Sequence, residues 1–272
     1  MKTLDVHCKV CRELVEEASI VVVRSRFDAP IYQCSSCGFT FFHEVPWLEE
    51  AYADAINATD TGYIARNLSC RDRMRYIIEL CLNPEGRFLD FGAGYGMFVR
   101  LMRDAGYDFY WSDLYCDNLF AIGFEDPLES SSFKYEAITA FEVMEHVADP
   151  IATLEQLFSK SDTVVFSTEL MLEPLTARRD WWYFGFDHGQ HISFYTYKSL
   201  LSLAKRFRCQ LFSDGASFHI LSRGGVTSSH HARTNSRLWR MIARRRRREA
   251  KTLRDCEIVK EGRSKLTESS SC

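Results

Sequence analysis

The stretch from residue 87 to residue 102, RFLDFGAGYGMFVRLM, decides the fold of this 272-residue chain. Its apolar residues at 88–91 predict a short buried strand, and those at 98–105 follow helical spacing. Three glycines lie between strand and helix: Gly92, Gly94 and Gly96. A strand, a glycine turn and a helix form half of a nucleotide-binding unit, so we expect a parallel α/β sheet.

The spacing of the glycines favours one class of ligand over another. In the dinucleotide pattern G-x-G-x-x-G, a third glycine counted from Gly92 would fall on Met97. The chain has Asp-x-Gly-x-Gly-x-Gly instead, and Asp90 precedes the first glycine by two residues. A carboxylate there repels a pyrophosphate but attracts an ammonium group. S-adenosylmethionine carries such an amine, and its sulfonium is also positive.

A second acidic residue follows where a ribose contact is expected. Residues 108–113 predict the next strand, and Asp113 at its end lies 19 residues after Gly94. In dinucleotide folds a carboxylate at this place accepts hydrogen bonds from ribose hydroxyls. An ordinary turn residue at a strand end is the alternative. Together with the glycines, the pattern favours a cofactor contact.

Four stretches of the chain carry a family resemblance. They are Gly86–Met97, Trp111–Asp113, Ala137–Pro150 (AITAFEVMEHVADP) and residues 181–196 (WWYFGFDHGQHISFYT). They resemble the small-molecule branch of the class I S-adenosylmethionine-dependent methyltransferases. The resemblance implies a doubly wound, mostly parallel Rossmann-like sheet with a terminal antiparallel hairpin, in a domain at 83–223. The preceding segment, 44–82, carries Tyr63 and Arg66, and is either a lid over the cofactor or a solvated linker helix.

The resemblance also implies roles for single residues. Asp90 would face the methionine amine, the three glycines would wrap the ligand, and Asp113 would hold the ribose. Phe141 and Glu142 would flank the transferred methyl group, with Phe141 counted among the cofactor contacts. Residues 123–126 occupy the place of the adenine loop, although they carry no sharp motif.

Histidines supply the candidate bases. The sulfonium is a good leaving group, so the protein mainly positions the acceptor and removes a proton if the acceptor is a hydroxyl. The candidate bases are His146, His188 and His191, with Glu142 and Glu145 as orienting groups. We expect His146, His191 and Glu142 to be the catalytic residues.

The pattern E-x-x-E-H, formed by Glu142, Glu145 and His146, suggests a metal site. At positions i, i+3 and i+4 these side chains would share one helical face. The pattern resembles the divalent-metal site of ubiquinone-pathway O-methyltransferases and of small-RNA 2′-O-methyltransferases, where Mg²⁺ would orient adjacent hydroxyls. In the alternative, Glu142 lines the pocket, His146 packs under the turn, and Asp149-Pro150 opens a helix.

The N-terminal cysteines predict a structural zinc site. Two Cys-x-x-Cys pairs are present: Cys8 with Cys11, and Cys34 with Cys37. Strand-like residues at 20–23 and 31–32 lie between the pairs, with a boundary expected at Asp28–Pro30. Four sulfurs give the closed tetrahedral cage of a zinc ribbon, which we place at residues 1–43. The alternative is that these four, of the ten cysteines in the chain, are buried or redox-active and that their spacing is coincidental.

Further elements follow from apolar spacing. A helix is expected after Pro150, a buried strand at 163–168, a helix capped by Thr196, and a closing hairpin within 208–222. The aromatic run 181–184 is either a substrate platform or part of the core.

The C-terminal segment differs in charge from the rest of the chain. The net charge is −3, but residues 233–272 carry 13 Lys/Arg against 5 Asp/Glu, which leaves an acidic body at −11. An acidic body argues against a broad nucleic-acid face. We predict a linker at 224–236 and a basic tail to residue 272. The run Arg244–Arg248 would contact an anionic membrane or a nucleic acid, or belong to a solvated extension.

These observations predict an enzyme that transfers a methyl group from S-adenosylmethionine to a small-molecule acceptor, such as a sugar or polyol hydroxyl. One alternative is an RNA methyltransferase that holds RNA with the zinc ribbon and the arginine run. Another is a non-catalytic cofactor-binding protein. No apolar run approaches the ~20 residues that span a bilayer, and no export signal is recognised, so we expect a cytoplasmic location.

Overall fold

The computed structural model describes residues 5–52, 60–127, 134–172, 175, 180–246 and 248–269. Contacts within the chain divide it into two compact units. The first unit comprises Met1–Ala58, Ala140–Ser159 and Thr163–Gly224, and the second comprises Thr59–Thr139, Lys160–Asp162 and Gly225–Cys272.

Short antiparallel strands build the smaller sheets of the first unit. β1 (Val6–His7) pairs with β2 (Leu14–Val15), and the order of the second sheet is β10 (Ser193–Phe194), β5 (Thr40–Phe42), β4 (Phe27–Gln33), β3 (Glu17–Val23). The chain reverses between β3 and β4 at Arg24 and Ser25, both with a left-handed φ of 53°. The expected boundary at Asp28–Pro30 is therefore wrong. These residues lie inside β4 and pair with 20–22, because the tight turn precedes them.

An aromatic core stabilises the first unit. It includes Trp47, whose indole N–H donates to the carbonyl oxygen of Gly189 at 2.8 Å. Tyr183 and Phe184 of the aromatic run are buried in this core, whereas Trp182 is 73% exposed. The run therefore contributes to core packing and, at Trp182, to the surface.

A six-stranded sheet confirms the predicted fold class. Its order is β11 (Gln210–Ser213), β12 (Phe218–Ser222), β9 (Thr163–Ser167), β8 (Ala137–Phe141), β6 (Arg87–Phe91), β7 (Asp108–Ser112). β6 pairs in parallel with both β7 and β8, while β12 is antiparallel to β9 and β11. The predicted closing hairpin thus supplies the antiparallel end. The register places Asp90 opposite Trp111 on one side and Thr139 on the other.

The helices begin mostly where the sequence predicts. They are α1 (Leu48–Ala51), α2 (Tyr63–Cys81), α3 (Met97–Asp104), α4 (Pro150–Lys160) and α5 (Tyr197–Phe207). Asp149 caps α4, and Thr196 forms a reciprocal capping box with Ser199 at the start of α5. Within the predicted segment 44–82, residues 53–59 lie outside the described part. No described helix is long and apolar enough to cross a membrane.

The C-terminal segment contains three more helices. They are α6 (Ser228–Asn235), α7 (Arg237–Arg245) and α8 (Thr252–Ser269). The expected linker at 224–236 is therefore wrong over α6. The Thr227 side chain caps this helix by accepting a hydrogen bond from the His230 N–H, so a polar stretch with few apolar residues still starts a helix.

The arginine run makes contacts inside the second unit. Arg244 donates to the Tyr76 hydroxyl at 2.6 Å, and Arg246 donates to the carbonyl oxygen of Glu79 at 3.1 Å. Arg247 lies outside the described residues. Part of the run therefore holds α7 against α2, which neither the membrane nor the nucleic-acid interpretation anticipated.

Candidate functional site

The glycine loop, residues 92–96 of the second unit, is a tight backbone turn between β6 and α3. Gly92, Gly94 and Gly96 have φ of 68°, 53° and 85°, a region that L side chains rarely adopt. A Cβ on Gly96 would lie 2.9 Å from the Asn118 side-chain oxygen. The N–H of Gly92 donates to the Ser112 carbonyl oxygen at 2.8 Å, which fixes the loop to the end of β7. The glycines are therefore needed for the shape of the loop.

Asp113 braces the glycine loop. Its Oδ2 accepts a hydrogen bond from the Gly94 N–H at 2.8 Å, and its Oδ1 accepts from the N–H groups of Tyr115 and Cys116 at 2.7 and 2.9 Å. The Trp111 indole donates to the Gly94 carbonyl oxygen at 2.7 Å. The structure thus brings both predicted cofactor elements, the glycines and Asp113, into one hydrogen-bonded assembly.

Asp90, at the end of β6, is a buried carboxyl with a neutral partner. It is 3% exposed and accepts a hydrogen bond from the Thr139 hydroxyl at 2.6 Å. Burial raises the pKa of Asp90 to about 7, with Thr139 opposing the shift and Asp113 adding to it. Among the described residues, no lysine or arginine pairs with Asp90. Sequence reasoning did not single out Thr139, whose role depends on strand register.

Tyr63 begins α2 above the glycine loop. Its hydroxyl lies 3.6 Å from the place where a Gly94 Cβ would stand. Burial, followed by the charge of Asp90, raises the pKa of Tyr63 to about 12, so its hydroxyl stays protonated. Arg66 makes a two-point ion pair with Asp60 at 2.8 and 2.6 Å. This arrangement suits a cover for the loop, as the resemblance implies.

The acidic side chains of residues 123–126 form hydrogen bonds with other side chains of the protein. Glu125 accepts a hydrogen bond from the Asn118 amide at 2.8 Å, and Asp126 from Lys160 at 2.6 Å. The adenine-loop interpretation of this segment remains a prediction.

In the first unit, Glu142 has a constrained backbone just after β8. Its φ is 54°, unusual for a residue other than glycine. The Ser167 hydroxyl accepts from the Glu142 N–H at 2.8 Å and donates to its Oε1 at 2.6 Å, which holds this conformation. Phe141 ends β8, and its ring lies 5.6 Å from that of Phe218. Ser167 is a site neighbour that sequence reasoning missed.

Glu145, His146 and His191 form a compact group, which we call the Glu-His cluster. One donor atom from each lies within 4.8 Å of the others, and Glu145 Oε1 is 3.9 Å from His146 Nε2. Glu142 is not part of it. Residues 144–146 form a 3-10 turn, so the expected single helical face does not exist. His191 enters from another segment, which spacing in the sequence could not reveal.

Burial controls the electrostatics of the Glu-His cluster. Glu145 is 0% exposed, and burial followed by the charge of Glu142 raises its pKa well above the ordinary value. Neither of its oxygens makes a hydrogen bond of ordinary geometry, although the Tyr183 and Thr168 hydroxyls are close enough to favour its ionised form. Burial lowers the pKa of His146 to about 4, so this imidazole is neutral at cellular pH.

His188 is near the Glu-His cluster but oriented differently. Its ring lies 4.9 Å from that of His191, yet its Nδ1 accepts a hydrogen bond from the Gln190 N–H at 3.1 Å. Its Nε2 lies 2.0 Å from the place where a Gly185 Cβ would stand. His188 therefore packs against the backbone.

The four predicted zinc ligands meet at one point. Cys8 Sγ is 3.6 Å from Cys37 Sγ, and Cys11 Sγ is 3.4 Å from Cys34 Sγ. A tetrahedral zinc site with Zn–S bonds of about 2.3 Å places sulfurs about 3.8 Å apart, so this spacing fits the ion. The Thr196 hydroxyl donates to the Cys37 carbonyl oxygen at 2.6 Å, which connects the second cysteine pair to the start of α5.

Comparison with known proteins identifies the family. The model of a methyltransferase-domain family matches residues 64–213, more than half of the chain. No curated protein matches the sequence. Magnesium protoporphyrin IX methyltransferase from Synechocystis PCC 6803 has a similar structure, with 14% identity, 66% of this chain and 96% of that chain covered, and a TM-score of 0.41. An O-methyltransferase family protein from Burkholderia thailandensis has 11% identity, 67% and 65% coverage and a TM-score of 0.45. The family match includes both the glycine loop and the Glu-His cluster, and the chain belongs to the methyltransferase-domain family.

Proposed function

We propose that the protein transfers the methyl group of S-adenosylmethionine to a small-molecule acceptor, with a sugar or polyol hydroxyl as the favoured class. The observation that carries the donor assignment is Asp90, a buried carboxyl at the glycine loop that bonds to the neutral Thr139 hydroxyl. An ammonium group would neutralise the negative charge of the Asp90 carboxylate, whereas that carboxylate would repel a pyrophosphate. Asp113 would hold the ribose, as the resemblance implies.

For the acceptor, we propose that a histidine of the first unit removes the hydroxyl proton. A general base works best when its pKa is near the operating pH. Because burial lowers the pKa of His146 to about 4, it is the weaker candidate, and we favour His191. The Glu142 carboxylate, fixed by Ser167, would orient the acceptor.

The test uses methyl-labelled S-adenosylmethionine and cell extract separated into RNA, lipid and small-molecule fractions. We expect label in the small-molecule fraction, lost in Asp113→Ala and retained in Asp162→Ala, a control that changes an exposed surface carboxylate. Label in RNA would overturn the small-molecule proposal in favour of the RNA alternative. Saturable cofactor binding without transfer to any fraction would favour a binding protein.

The second part of the proposal is a structural zinc ion at the cysteine cluster, Cys8, Cys11, Cys34 and Cys37. The sulfur spacing supports it, and a closed four-sulfur site leaves no position for substrate. We expect one zinc per chain to be lost in Cys34→Ser, with a stability loss of about 3–5 kcal/mol. Cys209→Ser, at a cysteine outside the cluster, should keep the zinc. Unchanged zinc content in Cys34→Ser would contradict the assignment.

A further inference from the structure

We infer that one face of α7 binds an anionic lipid surface. This face is formed by Arg237, Leu238, Met241 and Arg245, and we call it the outer face of α7. The inference goes beyond the proposed function, and it depends neither on the cofactor nor on the acceptor. It gives a role to the part of the basic segment that does not hold α7 against α2.

The first support is that α7 has two different faces. Its inner face packs against the second unit, where Ala243 is 2% exposed and Trp239 and Ile242 are half-buried. At about 100° per residue, these three positions fall on one side of the helix and the outer face falls on the other. The packing of the inner face therefore leaves the outer face to the solvent.

The second support is the exposure of apolar side chains among arginines. Leu238 is 58% exposed and Met241 is 47% exposed, and they lie about one turn apart. Arg237 and Arg245, on either side of them, are also exposed, and neither forms an ion pair with another described residue. In a lipid interface, leucine and methionine enter the apolar layer while guanidinium groups stay at the phosphates.

The third support is charge complementarity. Residues 233–248 contain eight arginines and no aspartate or glutamate. Arg244 and Arg246 hold α7 against α2, and Arg248 pairs with Glu85. The arginines of the outer face remain available to a surface of negative headgroups, and each cation near such a surface strengthens binding.

The apolar residues favour a lipid surface over a nucleic acid. Single-stranded RNA is bound by cations together with aromatic rings that stack on the bases. Trp239 is the aromatic residue of α7, but it belongs to the inner face, and the Arg233 guanidinium lies 5.0 Å from its ring centre. A helix of nine residues is too short to span a bilayer, so the contact would be peripheral.

The test is flotation of the full-length protein with lipid vesicles at low salt concentration. We expect binding to vesicles of equal parts phosphatidylcholine and phosphatidylserine, and none to vesicles of phosphatidylcholine alone. Added salt should weaken the binding. The double variant Leu238→Ser/Met241→Ser should lose affinity at least about tenfold. Arg245→Gln should lose about fivefold.

Helix α5 offers matched controls, because it also exposes a leucine near cations. Leu201 is 45% exposed, and Arg206 is exposed. Leu201→Ser and Arg206→Gln should bind the mixed vesicles as the wild type does. All the substituted side chains are exposed, so we expect every variant to fold, and an unchanged urea unfolding midpoint verifies this.

Three results would overturn the inference. One is absence of binding to the mixed vesicles. Another is equal binding to phosphatidylcholine alone, and the third is an equal loss of affinity in Leu201→Ser and in the double variant of α7. If the protein binds single-stranded RNA and not the vesicles, and Arg245→Gln weakens that binding, the outer face of α7 belongs to a nucleic-acid site instead.

Discussion

Asp255 and Glu145 are both almost fully buried, at 2% and 0% exposure, but they differ in the charged groups around them. Asp255, in the second unit, forms a two-point ion pair with Arg103 at 2.8 and 2.7 Å and a third bond with Arg100 at 2.8 Å. Burial disfavours its charge, but these guanidinium groups outweigh burial and hold the pKa of Asp255 below its ordinary value. Glu145, in the first unit, has no such cation among the described residues.

We interpret the difference as one between a structural carboxyl, Asp255, and a candidate functional one, Glu145. A charge that the protein itself neutralises fixes helices, as Asp255 fixes α8 to α3. A buried charge left without a partner costs stability, and such costs occur mainly at functional sites. Asp90 is intermediate, because it has a hydroxyl partner but no cation.

The largest expected effect on stability follows from loss of the buried ion pair between Asp255 and Arg103. Asp255→Asn leaves Arg103 buried without its full counter-charge, so we expect the free energy of unfolding to fall by about 3–5 kcal/mol. Asp104→Asn is the control, since Asp104 bonds to Arg100 at an exposed position and should cost about 0.5 kcal/mol. Urea unfolding of both variants measures the difference. Equal losses would show that the buried pair has no special role.

A substitution in the glycine loop should have a nearly equal effect, measured as a loss of affinity for S-adenosylmethionine. Gly96→Ala adds a Cβ at a φ of +85°, 2.9 Å from Asn118, and should weaken S-adenosylmethionine binding roughly 100-fold. Gly215→Ala has a similar φ of +79° but meets nothing within 4 Å, so it should bind normally. Gly215 lies in the hairpin between β11 and β12, outside the glycine loop, so calorimetric titration of the two variants shows whether the loss of affinity is specific to the loop. Normal binding by Gly96→Ala would contradict the loop's role.

Asp90 should make cofactor affinity depend on pH. Its pKa is raised to about 7, and only the ionised carboxyl attracts the ammonium group. Binding should therefore weaken about tenfold for each pH unit below 7, level off above it, and release a proton near neutrality. Tyr63, with a pKa of about 12, does not titrate in this range.

The control for this prediction is Asp90→Asn, which should bind more weakly and without the slope between about pH 5 and 7. A wild-type affinity for S-adenosylmethionine that falls with rising pH would contradict this prediction. It would also show that Asp90 does not contact the amine.

The smallest expected effect concerns Glu145. Glu145→Gln removes a disfavoured buried acid at constant volume, so the free energy of unfolding should stay equal or rise by about 1 kcal/mol. Glu79→Gln is the matched control. Glu79 accepts a hydrogen bond from the Tyr107 hydroxyl at 2.8 Å, and its change should cost about 1–2 kcal/mol. A loss above about 2 kcal/mol for Glu145→Gln would place it among the structural carboxyls.

Local features of the fold could be predicted from the sequence. The glycine loop, the cap at Thr196 and the cysteine pairs depend on residues a few positions apart, and turn chemistry fixes them locally. The strand at 163–168 and the closing hairpin followed from apolar spacing for the same reason.

Contacts across long stretches of the chain could not be predicted. His191 joins Glu145 from another segment, and Arg103 finds Asp255 on α8, although no local pattern connects either pair. The register that places Thr139 beside Asp90 is likewise set by strand pairing. The sequence therefore predicted most of the glycine loop and only part of the Glu-His cluster.

Equilibrium dialysis of the wild-type protein against methyl-labelled S-adenosylmethionine, with NAD as competitor, tests the donor assignment most directly. We expect saturable binding of one S-adenosylmethionine per chain, which NAD does not displace, because the carboxylate of Asp90 repels a pyrophosphate. Absence of saturable binding, or displacement by NAD, would contradict it.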